Sequence, residues 1–217
     1  MPRKILITTD ELPYHVYNRS NNKEFFYLDL EELWPIFLES LCYLKKELKF
    51  KIHGFVLMSN HYHLILSTPD KNLSAGMTYL HREAARRANK KANRINHFFG
   101  SRYKWSLITE ENHYWNVVKY VFRNPVKAKF CENVEDYTYS SLLDKSKIWE
   151  MINFFDNTQE VIDLNLDWLN QDYLSQEDLG IKNALNKRIF KLGRDHGGFL
   201  IKLNGLKLPE NYSKEPT

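Results

Sequence analysis

The stretch "KIHGFVLMSNHYHLILS", Lys51–Ser67, decides how the chain is built. Two runs rich in β-branched and aromatic residues, Lys51–Leu57 and His61–Ser67, flank the short turn Met58-Ser59-Asn60, so they predict a β-hairpin. Side chains alternate along a strand, which puts His61, His63, Ile65 and Ser67 on one face and Tyr62, Leu64 and Leu66 on the other. Two imidazoles therefore share a face that would otherwise be apolar, close enough to share one ion. An isolated H-x-H pair is also satisfied by backbone carbonyls or water. A histidine-triad hydrolase would need a third histidine where Ile65 stands.

Working outward, Tyr14–Arg19 reads as a strand closed by the turn residues Ser20-Asn21-Asn22. Leu30, Leu33, Trp34, Phe37, Leu38, Leu41 and Leu44 recur at helical spacing, predicting a helix over Leu30–Leu48. A second helix is expected from a cap at Ser74 to about Arg94, with Met77, Leu80, His81, Ala84 and Ala88 inward. Arg102–Ile108 is the expected fourth strand, and a third helix runs from about His113 to Asn124, where Pro125 should end it. The order β-α-β-β-α-β-α fits an α+β fold: a ferredoxin-like, RRM-like antiparallel sheet with helices on one face and one added helix.

The chain has 217 residues, enough for an ordinary core, and a net charge of +4. That balance hides a pattern. Residues 1–130 carry 21 basic against 12 acidic residues, 131–179 carry 2 against 12, and 180–217 carry 8 against 3. A basic body and a basic end suggest a polyanionic partner. Cys42 and Cys131 are far apart with no zinc-ligand spacing, and no run is long and apolar enough to span a bilayer. The expectation is a cytoplasmic protein with no membrane partner.

The third helix carries the second constellation. Tyr114, Val117, Val118 and Val121 form its core stripe, and His113, Asn116, Tyr120 and Asn124 form a polar row beside it. Lys119 and Arg123 lie one step further round, on what reads as a basic surface. Tyr120 with its hydroxyl at the rim, and Asn124 as a C-terminal cap, is the plain alternative. On the second helix Arg82, Arg86 and Lys90 make one row and Arg87, Lys91 and Arg94 a neighbouring one, with Glu83 the only acid between; Arg102 and Lys104 add cations beside Tyr103 and Trp105. Basic residues interleaved with aromatic ones suit phosphates and unstacked bases. Arg19, ending the first strand, is a further candidate for binding DNA.

Together these features resemble the single-tyrosine HUH transposases, the IS200-like transposases, and among them the REP-associated tyrosine transposases. The residues carrying the resemblance are His61-Tyr62-His63, "YVFRNPVKAKF" from Tyr120, "YHVYNRSNN" from Tyr14, "GSRYKW" from Gly100 and "YTYSSL" from Tyr137. The middle position of the HUH triplet is usually a plainer hydrophobe than Tyr62. Asn124, where shorter relatives tend to carry Gln, resembles the REP-associated branch. The resemblance implies that His61, His63 and Asn124 hold Mg²⁺ or Mn²⁺ and that Tyr120 attacks a DNA phosphate, releasing a 3′-hydroxyl and leaving a 5′-phosphotyrosine. It implies single-stranded or hairpin DNA as partner, with a monomer or homodimer as the working unit. Help for the phenol from the metal, a base, Arg123 or Lys119 is expected, with His113 a candidate base. A non-catalytic nucleic-acid-binding module on the same sheet is the competing reading.

The resemblance covers residues 14 to about 142, so the expected division is a transposase domain over 1–142 and a helical C-terminal extension over 143–217. In the extension, Ile181–Leu192 reads as a basic amphipathic helix. Lys182, Lys187, Arg188, Lys191 and Arg194 are expected to hold a DNA duplex stem.

Overall fold

The computed structural model describes residues 5–95, 97–142, 164–194 and 201. The elements follow the expected order: β1 (Tyr14–Arg19), α1 (Leu30–Leu48), β2 (Lys51–Leu57), β3 (His61–Ser67), α2 (Leu73–Lys91), β4 (Lys104–Leu107) and α3 (Glu111–Phe122). Then come the short helix α4 (Asn124–Lys127), α5 (Leu166–Asn170) and α6 (Ser175–Ala184). The four strands form one antiparallel sheet in the order β2-β3-β1-β4. The fold is α+β.

Strand alternation sorts the core into two layers. Phe55, Tyr62, Leu64 and Leu66 pack under α1 and α2, against Leu33, Phe37, Leu41, Leu80 and Ala84. Val56 and Ile65 face the other way, under Tyr114, Val117, Val118 and Val121 of α3. Gly54 lets α3 come down onto β2: a Cβ there would stand 3.1 Å from the Phe122 ring. Both sheet edges are covered. Leu57 and Ser141 make backbone bonds between β2 and residues 139–141 of the "YTYSSL" stretch. Leu107 of β4 accepts from the Phe190 N–H and donates to the Arg188 carbonyl, so residues 188–190 seal the far edge.

Several boundaries differ from expectation. The cap of α2 is Asn72, not Ser74, whose hydroxyl instead accepts from Arg102 Nη2 at 3.4 Å. Strand β4 is four residues long; Ser101, ahead of it, leaves the ladder and gives its carbonyl to the Asn18 amide. Pro125 does not stop the helix at Asn124. The helix ends at Phe122, and Pro125 opens α4, where its missing N–H costs nothing. The expected helix over Ile181–Leu192 is displaced: α6 ends at Ala184, a turn follows, and residues 188–190 lie along β4.

The largest correction concerns α3. Its residues Tyr114 to Phe122 are all buried, so it has no basic outer surface. Trp168, Leu169, Ile181, Ala184, Leu185 and Phe190 join the same apolar cluster as α3 and β3. Residues 164–194 thus contribute to the core of the sheet. The expected boundary at 142/143 borders residues 143–163, which lie outside the described residues, as do Trp149 and its apolar neighbours.

Candidate active site

The two histidines lie in the outer half of β3, where the register sets Tyr17 opposite His63 and Arg19 opposite His61. Helix α3 crosses this face and delivers Tyr120, whose ring stands edge-on to the His63 ring with centroids 5.9 Å apart. One turn later the chain bends into α4 and brings Asn124 to the same place. His61, His63, Tyr120 and Asn124 all line one cleft of about 450 Å³, built from a single chain. Its other walls include Tyr17, Arg19, Lys23, Lys127, Lys182 and Asn186. Among the described residues four cations and no carboxylate line this space, which suits an anion such as a phosphodiester.

Each of the three expected metal ligands has one polar atom occupied and one turned to the cleft. The Asn60 amide donates to the Lys23 carbonyl, which leaves its Oδ1 to accept from His61 Nδ1 at 2.6 Å. His63 Nδ1 meets His15 Nε2 at 2.8 Å. Asn124 Nδ2 donates to the carbonyls of Tyr120 and Val121 at 2.8 and 3.3 Å, capping α3 as the plain reading held while leaving Oδ1 for a cation. Burial keeps both imidazoles neutral: His61 is pushed down to about 4, helped by Arg19, and His63 lies well below the usual range. Two neutral nitrogens and an amide oxygen are a donor set that can hold a divalent cation with positions left for further oxygens. Among the described residues no three His, Cys, Asp or Glu side chains cluster, so any ion here needs the amide.

Tyr120 is buried, and burial together with Asp178 raises its phenol further above its ordinary value. An unaided phenol in this position is a weak nucleophile at neutral pH. The cation nearest its ring is Lys127, with Nζ 5.8 Å from the centroid and an ion pair to Asp178.

Among the expected DNA contacts, Arg19 lines the cleft, and Lys104 is exposed above the Tyr17 ring at 5.6 Å. Arg102 is exposed beside Tyr103. Arg82, Arg86 and Lys90 are exposed on α2, across the sheet from the cleft. Acids from α1 offset this helix: Glu39 pairs with Arg87 and Glu32 with Lys91, while Glu83 binds Arg86. Lys119 and Arg123 do not face a polyanion. Lys119 is fully buried with its ammonium over the rings of Trp168 and Tyr173, at 5.0 and 5.2 Å. Arg123 gives its guanidinium to the carbonyls of Leu169 and Asn170 and to Asp172. Both hold α5 and the turn before α6 against α3, and neither is available to the phenol. His113 does not line the cleft either; its ring packs on Phe190.

The model of the family "Transposase IS200 like" matches residues 8–124, a span that holds the histidine pair, Tyr120 and Asn124. The chain belongs to this family of transposases. No curated protein matches. Among solved structures, the chain is similar to a REP-associated tyrosine transposase bound to a REP hairpin, at 19% identity and a TM-score of 0.55, over 64% of this chain and 82% of that one. A putative transposase from Deinococcus radiodurans R1 aligns at 16% identity and a TM-score of 0.37, over 57% of this chain and 95% of that one. The fold is thus that of the REP-associated tyrosine transposase.

The family match ends at Asn124, yet the cleft of this transposase does not. Lys127, Lys182 and Asn186 come from beyond it, and Tyr17 donates its hydroxyl to Asn186 Oδ1 at 3.0 Å. Lys182, expected on a DNA duplex stem, lines the cleft instead, while sequence reasoning missed Lys127 and Asn186 and also His15, Tyr17, Lys23 and Asn60. For His15 and Tyr17 the means of finding them was present: they share period-two spacing with Arg19 on a strand beside the H-x-H strand. For Asn186 nothing local points to the cleft.

Proposed function

We propose that this chain is a REP-associated type of tyrosine transposase that cuts and rejoins single-stranded DNA next to a hairpin through Tyr120. The observation that carries this reading is the meeting of Tyr120, His61, His63 and Asn124 in one cleft walled by Arg19, Lys23, Lys127 and Lys182. The Tyr120 oxygen attacks phosphorus, the O3′–P bond breaks, and the proton given up by the phenol is balanced by the one taken by the leaving oxygen, which releases a 3′-hydroxyl and leaves a 5′-phosphotyrosine. Rejoining is the reverse: a 3′-hydroxyl attacks the phosphotyrosine and the phenol leaves, so no nucleoside triphosphate is consumed. His61, His63 and Asn124 hold Mg²⁺ or Mn²⁺, which when bound polarises the scissile phosphate and lowers the barrier to attack. Arg19, Lys23, Lys127 and Lys182 take the phosphates on either side, and Arg102 and Lys104 extend the grip along the β4 end of the sheet. The working unit is a monomer or a homodimer.

The test is incubation with single-stranded DNA carrying a hairpin from the flanks of the protein's own gene, with Mn²⁺, followed by a denaturing gel. A covalent adduct is expected with the wild type, none with Tyr120→Phe, and none in excess EDTA. An adduct with Tyr120→Phe overturns the assignment. DNA binding without any adduct assigns the chain to the non-catalytic alternative.

A further inference from the structure

The two histidines of the proposed metal site are held in different ways. His61 faces an oxygen that can only accept, because the Asn60 amide is fixed by its own bond to the Lys23 carbonyl. The proton of His61 is therefore on Nδ1, and its Nε2 lone pair is free. His63 faces a nitrogen of another histidine. His15 lies on β1, wholly buried, its ring stacked on that of His63 with centroids 5.1 Å apart and 26° between planes. One hydrogen lies between His15 Nε2 and His63 Nδ1, 2.8 Å apart. If His15 donates it, His63 carries its own proton on Nε2, the atom a metal needs. If His63 donates it, Nε2 presents a lone pair.

Two orphaned polar atoms bear on the choice. His15 Nδ1 is buried with no partner, and so is the hydroxyl of Ser106. Those residues face each other in the β1–β4 register, so their side chains share the sheet face beneath α3. The two make no bond to each other in this structure; were the hydroxyl to close on an Nδ1–H of His15 and accept from it, His15 Nε2 would be left bare to accept from His63.

We infer that His15 is the positioning residue of the site: by accepting from His63 Nδ1 it holds His63 as the tautomer whose Nε2 can bind a divalent cation. This rests on the metal reading above and extends it one shell outward, to a residue that touches neither metal nor DNA. His15→Phe keeps the ring and its stacking but removes both nitrogens. His15→Gln restores an acceptor near the position of Nε2.

The experiment uses the full chain without DNA and has two readouts. Titration calorimetry with Mn²⁺ should show affinity about 10- to 100-fold weaker in His15→Phe, and within a few-fold of wild type in His15→Gln. Long-range ¹H–¹⁵N correlation spectra of the metal-free protein should show His63 protonated on Nδ1 in the wild type and on Nε2 in His15→Phe. His63 protonated on Nε2 in the wild type, or unchanged Mn²⁺ affinity in His15→Phe, overturns the inference. A wild type that binds no Mn²⁺ sinks the metal reading instead, and the spectra still decide whether His15 sets the tautomer. Should His15→Phe not fold, the wild-type spectrum and His15→Gln carry the same decision.

Discussion

Lys119 is a sensitive probe of how the C-terminal segment is joined to the catalytic helix. Burial, and then the neighbouring Arg123, lower its ammonium from the ordinary 10.5 to about 8, against the opposing pull of Glu177 and Asp172. The two values differ by an amount worth about 3 kcal/mol. Between pH 8 and 10.5 the unfolded chain binds this proton and the folded chain does not, so stability rises with pH through that window. At neutral pH the charged form is held at a cost, which the faces of Trp168 and Tyr173 offset only in part, by roughly 0.5–2 kcal/mol each. Lys119→Met keeps an unbranched stem and removes the charge. From pH 7 to pH 10 the wild type should gain about 2.5 kcal/mol relative to Lys119→Met, because all other titrations cancel in the difference. Urea unfolding followed by tryptophan fluorescence, extrapolated to zero denaturant at each pH, measures this directly. Two stability curves that stay parallel within about 0.5 kcal/mol from pH 7 to 10 would show that Lys119 titrates normally and refute its desolvated place under α5.

Reversing Arg82, Arg86 and Lys90 to Glu should leave cleavage of a short single strand unchanged, since these residues stand across the sheet from the cleft; a large loss of cleavage would show that DNA wraps onto α2. Ending the chain after Leu179 removes Ile181, Leu185 and Phe190 from the core under α3, each worth roughly 1.5–3 kcal/mol of burial, together with Lys182 and Asn186 from the cleft. A fall in melting temperature and in single-strand cleavage is expected together, and full activity after truncation would return the segment to an appendage. His81, pushed down to about 4 by burial and bonded to the Tyr62 hydroxyl, contributes stability that is fully present above pH 6.5 and lost as pH falls toward 4. His81→Gln should flatten that acid limb in thermal melts, and an unchanged limb would assign it to other groups.

The fold was legible because its layers are written in short-range periods. Alternation at His61–Ser67 and helical spacing at Leu30–Leu44 each identify a face, and the structure packs both faces as read. Tyr120, His61, His63 and Asn124 share one cleft for the same reason: a strand and a helix each present one row of side chains to it. Lys119 and Arg123 were misread by the same logic. A helical wheel shows which side of α3 is apolar but not what covers the polar side. There the cover is Trp168, Tyr173 and the carbonyls of Leu169 and Asn170, 46 to 54 residues away. A lysine over two rings and an arginine spent on carbonyls look identical in sequence to solvated cations.

That hidden cover bears on catalysis. A helix carrying a nucleophile must hold its hydroxyl to within roughly half an ångström of the productive position, and α3 reaches the sheet by one stripe only. The outer side of α3 is fixed by Lys119 in its aromatic pair, by Arg123 against α5, and by Tyr173, whose hydroxyl donates to the Asn116 carbonyl at 2.8 Å. The chain then runs through α6 to Asn186, which meets Tyr17 beside His63, and on to the β4 edge at Arg188–Phe190. Residues 164–194 therefore brace the helix of the proposed nucleophile from behind and line the cleft in front. The two tasks are physically coupled, because the same ten-residue helix α6 buries Ile181 and Ala184 toward α3 while presenting Lys182 to the cleft. A change that loosens the brace should also move a cation away from the DNA phosphate, so defects in holding Tyr120 and in gripping substrate should appear together.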